Sequence, residues 1–297
     1  MNRHRYLLLW SILTCILDAG LNRYTCLAAD SVIPSQSQGV PGHEGLYRHQ
    51  EKLWVTIPDA KRVIRIPAIA ATLKSAHWVS SNAHQDSTSQ DSTERAESNL
   101  DRAESNQFKP DLRIEVDHWQ LKLPRPDERT GTQSVILLTF ETPVLLPAEL
   151  TSDQASADGS FFLPAYRAIA TGATLRYEPQ PHKNTLGYWT NPLDYAKWRI
   201  NVPAPGKYNV AVLQGCGSGQ GGSRAAVVIQ RAGSADPTAA QEFDVLETGH
   251  FQNFQWIQLQ TVHLPEPGEF ELVVRPVKIA KAALMDIRAV HLVRLPD

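Results

Sequence analysis

Short stretches in which apolar and polar residues alternate recur along this chain. Residues 119–123, 196–202 and 208–212 show the period-two pattern of strands that are buried on one face. Residues 134–140 are more uniformly apolar, as expected for a strand in the interior of a sandwich. Further predicted strands lie at 53–57, 63–66, 225–230, 256–259, 270–274 and 285–293. Strands this short, separated by turns rich in Pro and Gly, predict an all-β protein with two β-sandwich domains, the second of them a jelly roll.

Polar segments divide the chain into its predicted parts. Residues 30–44 are turn-rich and predict a flexible lead-in. Residues 80–110 contain seven Ser and nine charged residues, and their few apolar side chains cannot offset the entropy cost of ordering. We therefore predict a disordered insertion there. Residues 151–158 are the predicted linker between a first β-sandwich domain at 45–150 and the jelly-roll domain at 159–297.

The N-terminus has the three parts of a secretory signal peptide. Arg3 and Arg5 precede an apolar run at residues 7–17, and two small residues end the segment at position 29. The run is shorter than the roughly 20 residues needed to span a bilayer. We therefore predict a signal peptide at 1–29, no membrane span after cleavage, and a location that is secreted, periplasmic or in the cell envelope. Cleavage would leave Cys216 as the only cysteine, which excludes an internal disulfide.

The charge and the one glycine-rich motif exclude two classes of ligand. The formal net charge is −2, from 29 Lys and Arg against 31 Asp and Glu. A nucleic-acid-binding protein carries a basic footprint instead, so no nucleic acid partner is expected. Residues 217–222 match the dinucleotide motif G-x-G-x-x-G, but the segment AAVVIQ that follows predicts a strand where a helix would have to begin. We interpret the motif as a glycine-rich hairpin.

Signatures of the common hydrolases do not occur in the sequence. Neither G-x-S-x-G nor H-E-x-x-H is present. Acidic residues cluster at Asp111, Glu115 and Asp117, where exposed strand edges explain them better than a carboxylate pair across a cleft. We therefore expect no enzyme activity and no catalytic residues.

Two turn-rich segments, 186–193 and 248–254, combine aromatic rings with amide side chains. The candidate ligand-binding residues in them are Tyr188, Trp189, Asn191, Phe251 and Asn253. Sugars present an apolar C–H face and a rim of hydroxyls, which a flat ring and an amide group match. Trp198 and Tyr208 lie on apolar strand faces and are predicted core residues. The sequence alone leaves open whether Trp189 is exposed or buried.

The second half also carries a recognisable order of motifs. It contains F-L-P-A at 162–165, L-G-Y-W-T at 186–190, P-G-x-Y-x-V at 205–210, T-G at 248–249 and M-D-I-R at 285–288. Over about residues 159–295 this order resembles the galactose-binding-like β-sandwich of family 6 carbohydrate-binding modules. Similar modules are appended to secreted sulfatases and α-L-fucosidases.

The resemblance implies a ligand site and raises the question of a metal ion. Family 6 modules hold sugar between two loop aromatics, with an Asn near the C-terminus. Tyr188 or Trp189 and Phe251 stand at the aromatic positions, and Asp286 stands at the position of the Asn. The structural calcium of such modules takes a Glu early in the first strand, where this chain has Tyr166. We therefore expect no cofactor, with a structural calcium ion left as the open alternative.

Motifs in the first half give a fainter resemblance. I-P at 66–67, K-x-A-x-W at 74–78, W-x-L-x-L-P at 119–124 and S-V-I-L-L at 134–138 are similar to the C-terminal β domain of α-L-fucosidases. The catalytic barrel of those enzymes has no counterpart here. We therefore predict a secreted, non-catalytic carbohydrate-binding protein, similar to the accessory part of a glycosidase, with a polysaccharide or glycan as its partner. The alternatives are an envelope scaffold or protein-interaction module, and a degenerate α-L-fucosidase-type hydrolase.

Overall fold

Regular structure in this protein is almost entirely β. The computed structural model describes residues 32–57, 62–79, 107–124 and 135–296. In those residues the helical parts are the short 3-10 turns Pro147–Glu149 and Ala165–Arg167, which confirms the predicted all-β fold class. None of the described helices is long and apolar enough to cross a membrane. The predicted signal peptide at 1–29 lies outside the described residues, as do residues 80–106 of the predicted insertion.

The first half forms two antiparallel sheets. Its strands are β1 (Gln38–Gly39), β2 (Leu46–His49), β3 (Lys52–Thr56), β4 (Val63–Pro67), β5 (Leu73–Val79), β6 (Gln107–Phe108), β7 (Asp111–Ile114), β8 (His118–Lys122) and β9 (Val135–Phe140). Sheet 1 has the order β1-β2-β3-β9-β5-β6, and sheet 2 has the order β4-β8-β7. Leu53, Ile136 and Phe140 of sheet 1 share one core with Trp119 and Leu121 of sheet 2, because their alternate side chains face inward.

The second half is a sandwich of two larger sheets. Its strands are β10 (Asp153–Gln154), β11 (Phe161–Pro164), β12 (Ile169–Thr171), β13 (Arg176–Glu178), β14 (Thr185–Gly187), β15 (Tyr195–Val202), β16 (Gly206–Cys216), β17 (Arg224–Arg231), β18 (Pro237–Asp244), β19 (His250–Leu264), β20 (Gly268–Lys278) and β21 (Asp286–Arg294). Sheet 3 has the order β10-β15-β20-β17-β18, with β12 also on β15. Sheet 4 has the order β13-β14-β21-β16-β19, with β11 also on β21.

Period-two alternation fills the core between sheets 3 and 4. Trp198 and Ile200 on β15 are fully buried, as are Tyr208 and Val212 on β16, which confirms the prediction that Trp198 and Tyr208 are core residues. The indole nitrogen of Trp198 donates a hydrogen bond to the carbonyl of Pro164 at 2.9 Å. Burying a large apolar side chain of this kind stabilises the fold by roughly 2–3 kcal/mol.

Three segments that the sequence suggested were irregular contribute to sheets. Strand β1 lies within the predicted lead-in and pairs with β2, and β6 lies within the predicted insertion and pairs with β5. Strand β10 lies within the predicted linker and pairs in parallel with β15. These corrections have one cause: the edge of a sheet pairs with a neighbouring backbone whatever its side chains are, so polar composition does not reveal such strands.

The two halves meet along β13 and the residues next to it. The amide of Leu73 donates to the carbonyl of Pro179 at 3.0 Å, and the hydroxyls of Thr72 and Tyr177 lie 3.0 Å apart. The guanidinium of Arg176 lies 3.8 Å from the carboxylate of Glu115. We call these contacts the seam.

Candidate functional site

Four strand ends of sheet 4 bring aromatic rings and a carboxyl group into one line. Tyr188 directly follows β14, Asp286 begins β21, Gly215 lies near the end of β16, and Phe251 lies near the start of β19. The register places Asp286 opposite Gly215, and β21 lies between β14 and β16. We call Tyr188, Asp286, Gly215 and Phe251 the end row. It crosses three strand spacings, which is about 14 Å.

Tyr188 lies at one end of the end row with its ring in solvent. Its backbone has φ of 58°, the left-handed conformation, and the side chain is 47% exposed. The guanidinium of Arg176 lies 3.6 Å from the ring centroid and the ammonium of Lys183 lies 6.0 Å from it. These are cation–π contacts, in which the positive charge is attracted to the face of the ring and holds the ring in one orientation.

Trp189 is fully buried, although it is the next residue in the chain. The turn at Tyr188 directs the two neighbouring rings to opposite sides of the sheet. The indole nitrogen of Trp189 donates to the carbonyl of Asp194 at 3.0 Å, and its own carbonyl accepts from the amide of Leu284 at 2.8 Å. The prediction that Trp189 offers a stacking face is therefore corrected: the ring belongs to the core.

Two buried carboxyl groups meet beside Gly187. Glu178 on β13 is 4% exposed and Asp286 is 5% exposed. A Cβ atom on Gly187 would lie 2.7 Å from Oε2 of Glu178 and 3.1 Å from Oδ1 of Asp286, so the glycine makes room for both groups. Lys183 forms an ion pair with Glu178, and the side-chain amide of Gln252 lies 3.5 Å from Oδ2 of Asp286.

The environment keeps Asp286 protonated at neutral pH. Burial, reinforced by the nearby negative charge of Glu178, raises the pKa of Asp286 to about 8. The ammonium of Lys183 and the amide of Gln252 oppose this rise without cancelling it. The site therefore presents one carboxylate, balanced by Lys183, and one neutral carboxylic acid that can donate a hydrogen bond.

Arg288 fixes the backbone of the loop between β13 and β14, which carries Lys183. The guanidinium of Arg288, on β21, donates to the backbone carbonyls of Lys183 at 2.7 Å and of His182 at 3.0 Å. The same guanidinium lies 4.0 Å from the ring centroid of Phe254 on β19. Strands β13, β21 and β19 are thereby tied together beneath the end row.

Phe251 closes the other end of the end row, where two glycines let it approach. A Cβ atom on Gly217 would lie 2.7 Å from the ring of Phe251, and one on Gly215 would collide with the backbone of Phe251. The segment after Gly217 is a turn followed by β17, with no helix, so G-x-G-x-x-G does not open a helix here. The hairpin interpretation is wrong, because β16 belongs to sheet 4 and β17 to sheet 3, and the glycine-rich segment crosses between the two sheets. The carboxylate of Glu247 accepts hydrogen bonds from the amides of Gly219 and Gly221 in that turn.

The two predicted asparagines stabilise turns. The Oδ1 atom of Asn191 accepts from the amide of Leu193 at 3.0 Å, as in an Asx turn. The Nδ2 atom of Asn253 donates to the carbonyl of Thr248 at 2.6 Å and so closes the loop before β19. Asn253 is exposed and lies two residues beyond Phe251. The side-chain hydrogen bond of Asn191 lies within its own turn. Their predicted role in ligand binding stays a prediction.

Sequence reasoning missed four residues of this site. They are Arg176, Glu178, Lys183 and Gln252. Glu178 stands in a three-residue strand whose sequence, R-Y-E, is unremarkable, and its burial depends on a glycine nine residues later. Gly187 was the one local signal available in the sequence, since a glycine before an aromatic turn residue marks a close approach.

The residues around Tyr166 do not fit a calcium ion. Tyr166 lies in the 3-10 turn Ala165–Arg167 and is half-buried. The nearby carboxylate of Asp153 is engaged by the guanidinium of Arg167 at 2.8 Å, and that positive charge repels a cation. Within the described ranges no group of three or more His, Cys, Asp or Glu side chains is placed to hold a metal ion.

Comparisons with known proteins identify similar folds. Neither family models nor curated proteins match the sequence. Among solved structures, the C-terminal family 6 carbohydrate-binding module of LamC, a laminarinase from Zobellia galactanivorans, is 20% identical and has a TM-score of 0.35 over 45% of this chain and 98% of the module. A family 6 module of lichenase 5A from Cellvibrio mixtus, in complex with cellotriose, is 18% identical with a TM-score of 0.35, covering 46% of this chain and 98% of the module. A family 35 module from Clostridium thermocellum is 17% identical with a TM-score of 0.34, covering 45% and 96%.

Proposed function

We propose that this protein binds a carbohydrate at the end row and does not catalyse a reaction on it. The observation that carries the proposal is the line formed by Tyr188, Asp286 and Phe251 across the ends of four strands. Two rings at the ends of a row with polar groups between them match the alternating apolar and hydroxyl surfaces of a sugar.

The chemistry of each group gives it a distinct role in binding. The exposed ring of Tyr188 offers a flat apolar surface to the C–H face of a pyranose. The protonated carboxyl group of Asp286 donates to a sugar oxygen, and the side-chain amide of Gln252 can both donate and accept. Because Arg176 and Lys183 fix Tyr188 and Glu178, little side-chain entropy is lost on binding.

The carboxyl pair is arranged for binding rather than for glycoside hydrolysis. Hydrolysis needs two carboxyl groups that flank a glycosidic bond, about 5 Å or more apart. Here Glu178 and Asp286 converge on the space beside one glycine and are almost fully buried, which leaves no room for a sugar ring between them. We therefore propose that neither group acts as nucleophile or as general acid.

Affinity electrophoresis and calorimetry of the full chain test the proposal. Fucosylated, sulfated and plant-type polysaccharides form the panel. We expect retention by at least one class, and Tyr188→Ala and Phe251→Ala should each weaken binding at least about tenfold, equal to about 1.4 kcal/mol. Phe162→Ala is the matched control, since Phe162 is 55% exposed on the same sheet but lies on β11, outside the end row.

The outcomes separate the candidate functions. Equal loss in Phe162→Ala and in the end-row variants would contradict the assigned site. A folded protein that no glycan retains would overturn carbohydrate binding and favour the scaffold or protein-interaction module. Release of reducing sugar, abolished in Glu178→Gln, would favour the degenerate hydrolase.

We also propose that the chain is exported and functions as an accessory binding protein of the kind attached to glycosidases. Support for export comes from the charged, apolar and small segments within residues 1–29. N-terminal sequencing of protein recovered outside the producing cell is expected to begin at Asp30. A sequence beginning at Met1 would contradict the cleavage.

A further inference from the structure

A groove lies at the junction of the two halves, bordered by β5, β6 and the loop between β13 and β14. Its volume is about 460 Å³. Leu73, Phe108 and Leu112 supply apolar surface from the first half, and Pro181 supplies it from the second. Sites for small molecules have volumes of about 300–1,000 Å³, are mostly apolar, and often lie between domains. The groove meets all three criteria.

The ionisable side chains that line the groove are two lysines and one histidine. Lys74 and Lys109 come from the first half, and His182 comes from the second. All three are exposed, and none of the lining residues is acidic. Among the described residues neither lysine forms an ion pair. This rim therefore offers two uncompensated positive charges above an apolar floor, which is complementary to an anion with an apolar body.

Gln180 adds a hydrogen-bond acceptor to the same groove. Its Oε1 atom is buried and has no hydrogen-bond partner in the part of the chain that the structure describes. The backbone of Gln180 is fixed, because its carbonyl accepts from the amides of Lys183 and Asn184, each at 2.8 Å. A buried acceptor without a donor is costly, by about 1–3 kcal/mol, so a donor from a ligand would be favoured there.

We propose that this groove binds a small organic anion with an apolar body and a hydroxyl donor. The lysines attract the anionic group, Phe108 and Leu112 contact the body, and Gln180 accepts from the hydroxyl. This site is separate from the end row, and the inference does not depend on carbohydrate binding.

Four naphthalene probes test each part of the inference on the full chain. They are 6-hydroxy-2-naphthoate, 2-naphthoate, 2-naphthalenesulfonate and the neutral 2-naphthylmethanol. We expect both simple anions to bind at least about tenfold more tightly than the neutral alcohol in calorimetry at low salt. The hydroxynaphthoate should bind about threefold or more tightly than 2-naphthoate. Comparing the carboxylate with the sulfonate shows which acidic group the lysines prefer.

Variants assign the binding to the groove. Lys74→Gln combined with Lys109→Gln should abolish the advantage of the anions, and Gln180→Leu should abolish the advantage of the hydroxyl group. The matched control combines Lys207→Gln with Lys278→Gln, two exposed lysines elsewhere in the second half. Circular dichroism verifies that each variant is folded.

Three results would overturn the inference. They are equal affinity for the anions and the neutral alcohol, equal loss of affinity in the control pair, and no saturable binding of any probe. Retained anion binding in Tyr188→Ala would show that the groove works independently of the end row, whatever the fate of the carbohydrate proposal.

Discussion

Gly187 decides the chemistry of the candidate site. Without a side chain there, Glu178 and Asp286 approach each other inside the protein, and one of them must take up a proton. Lys183 supplies a single positive charge, which balances a single carboxylate. The carboxyl pair and Lys183 together thus carry no net charge, which suits an uncharged ligand.

The raised pKa of Asp286 predicts how stability depends on pH. In the folded protein Asp286 keeps its proton up to about pH 8, whereas in the unfolded chain it loses the proton near pH 4. The contribution of this group to stability is therefore fully present below pH 4 and is lost as the pH rises to 8. We expect Asp286→Asn to become more stable relative to the natural protein by on the order of 3 kcal/mol between pH 5 and pH 8.

Urea unfolding at pH 5, 7 and 8 measures this difference. Asp236→Asn is the control, because Asp236 is exposed in the turn before β18. A constant difference between Asp286→Asn and the natural protein across this range would show that Asp286 ionises normally in the folded state.

At the scale of elements, one carboxylate organises the entry to β13. Asp194, just before β15, accepts hydrogen bonds from the amides of Ala173, Thr174 and Leu175 at 2.8 Å each, and from the hydroxyl of Thr174 at 2.9 Å. Burial works against the charged form, but these hydrogen bonds together lower the pKa of Asp194 below its ordinary value.

We expect Asp194→Ala to destabilise the protein by about 3 kcal/mol at pH 7, because buried amides lose their acceptor. Since the folded-state pKa is lowered, this contribution is present above the unfolded pKa and is lost as the pH falls through the folded one. Chemical denaturation at pH 7 and at pH 2 provides the test, with Asp236→Ala in the turn before β18 as the control, since Asp236 is exposed. An equal loss of stability at both pH values would assign the effect to packing instead.

The elements themselves follow from local sequence, whereas the site does not. The alternation in β15 and β16 predicts both strands and their buried faces, and Pro203 to Gly206 predict the turn between them. Trp189 could not be placed, because the adjacent rings separate only through a left-handed residue that is not a glycine. Glu178 was not predicted for another reason: its surroundings include Lys183 from the loop that follows β13 and Asp286, which the fold brings to it from β21.

At the scale of the whole molecule, the seam connects the first half to the proposed binding site. Arg176 contacts Glu115 on one side and the ring of Tyr188 on the other. Among the described residues its buried Nε atom has no hydrogen-bond partner, so these two contacts are the ones that position the guanidinium. The first half thereby helps to orient a residue that belongs to the second.

We expect Glu115→Gln to weaken glycan binding by about threefold, although Glu115 touches no part of the end row. Loss of its charge frees Arg176 to leave the ring of Tyr188, and calorimetry with the retained polysaccharide measures the effect. Arg113→Gln is the control, since Arg113 also pairs with Glu115, whereas the cations at the Tyr188 ring are Arg176 and Lys183. Unchanged affinity in Glu115→Gln would show that the ring is held by the second half alone.

The seam has a consequence for engineering. A graft that joins residues 159–297 to another protein would carry every residue of the end row, yet it would remove Thr72 and Glu115, which contact Tyr177 and Arg176 from the first half. The second half therefore has the fold of a separate module, but the first half contacts part of its surface. A fusion that keeps the first half attached is the form in which this protein should be moved between hosts or enzymes.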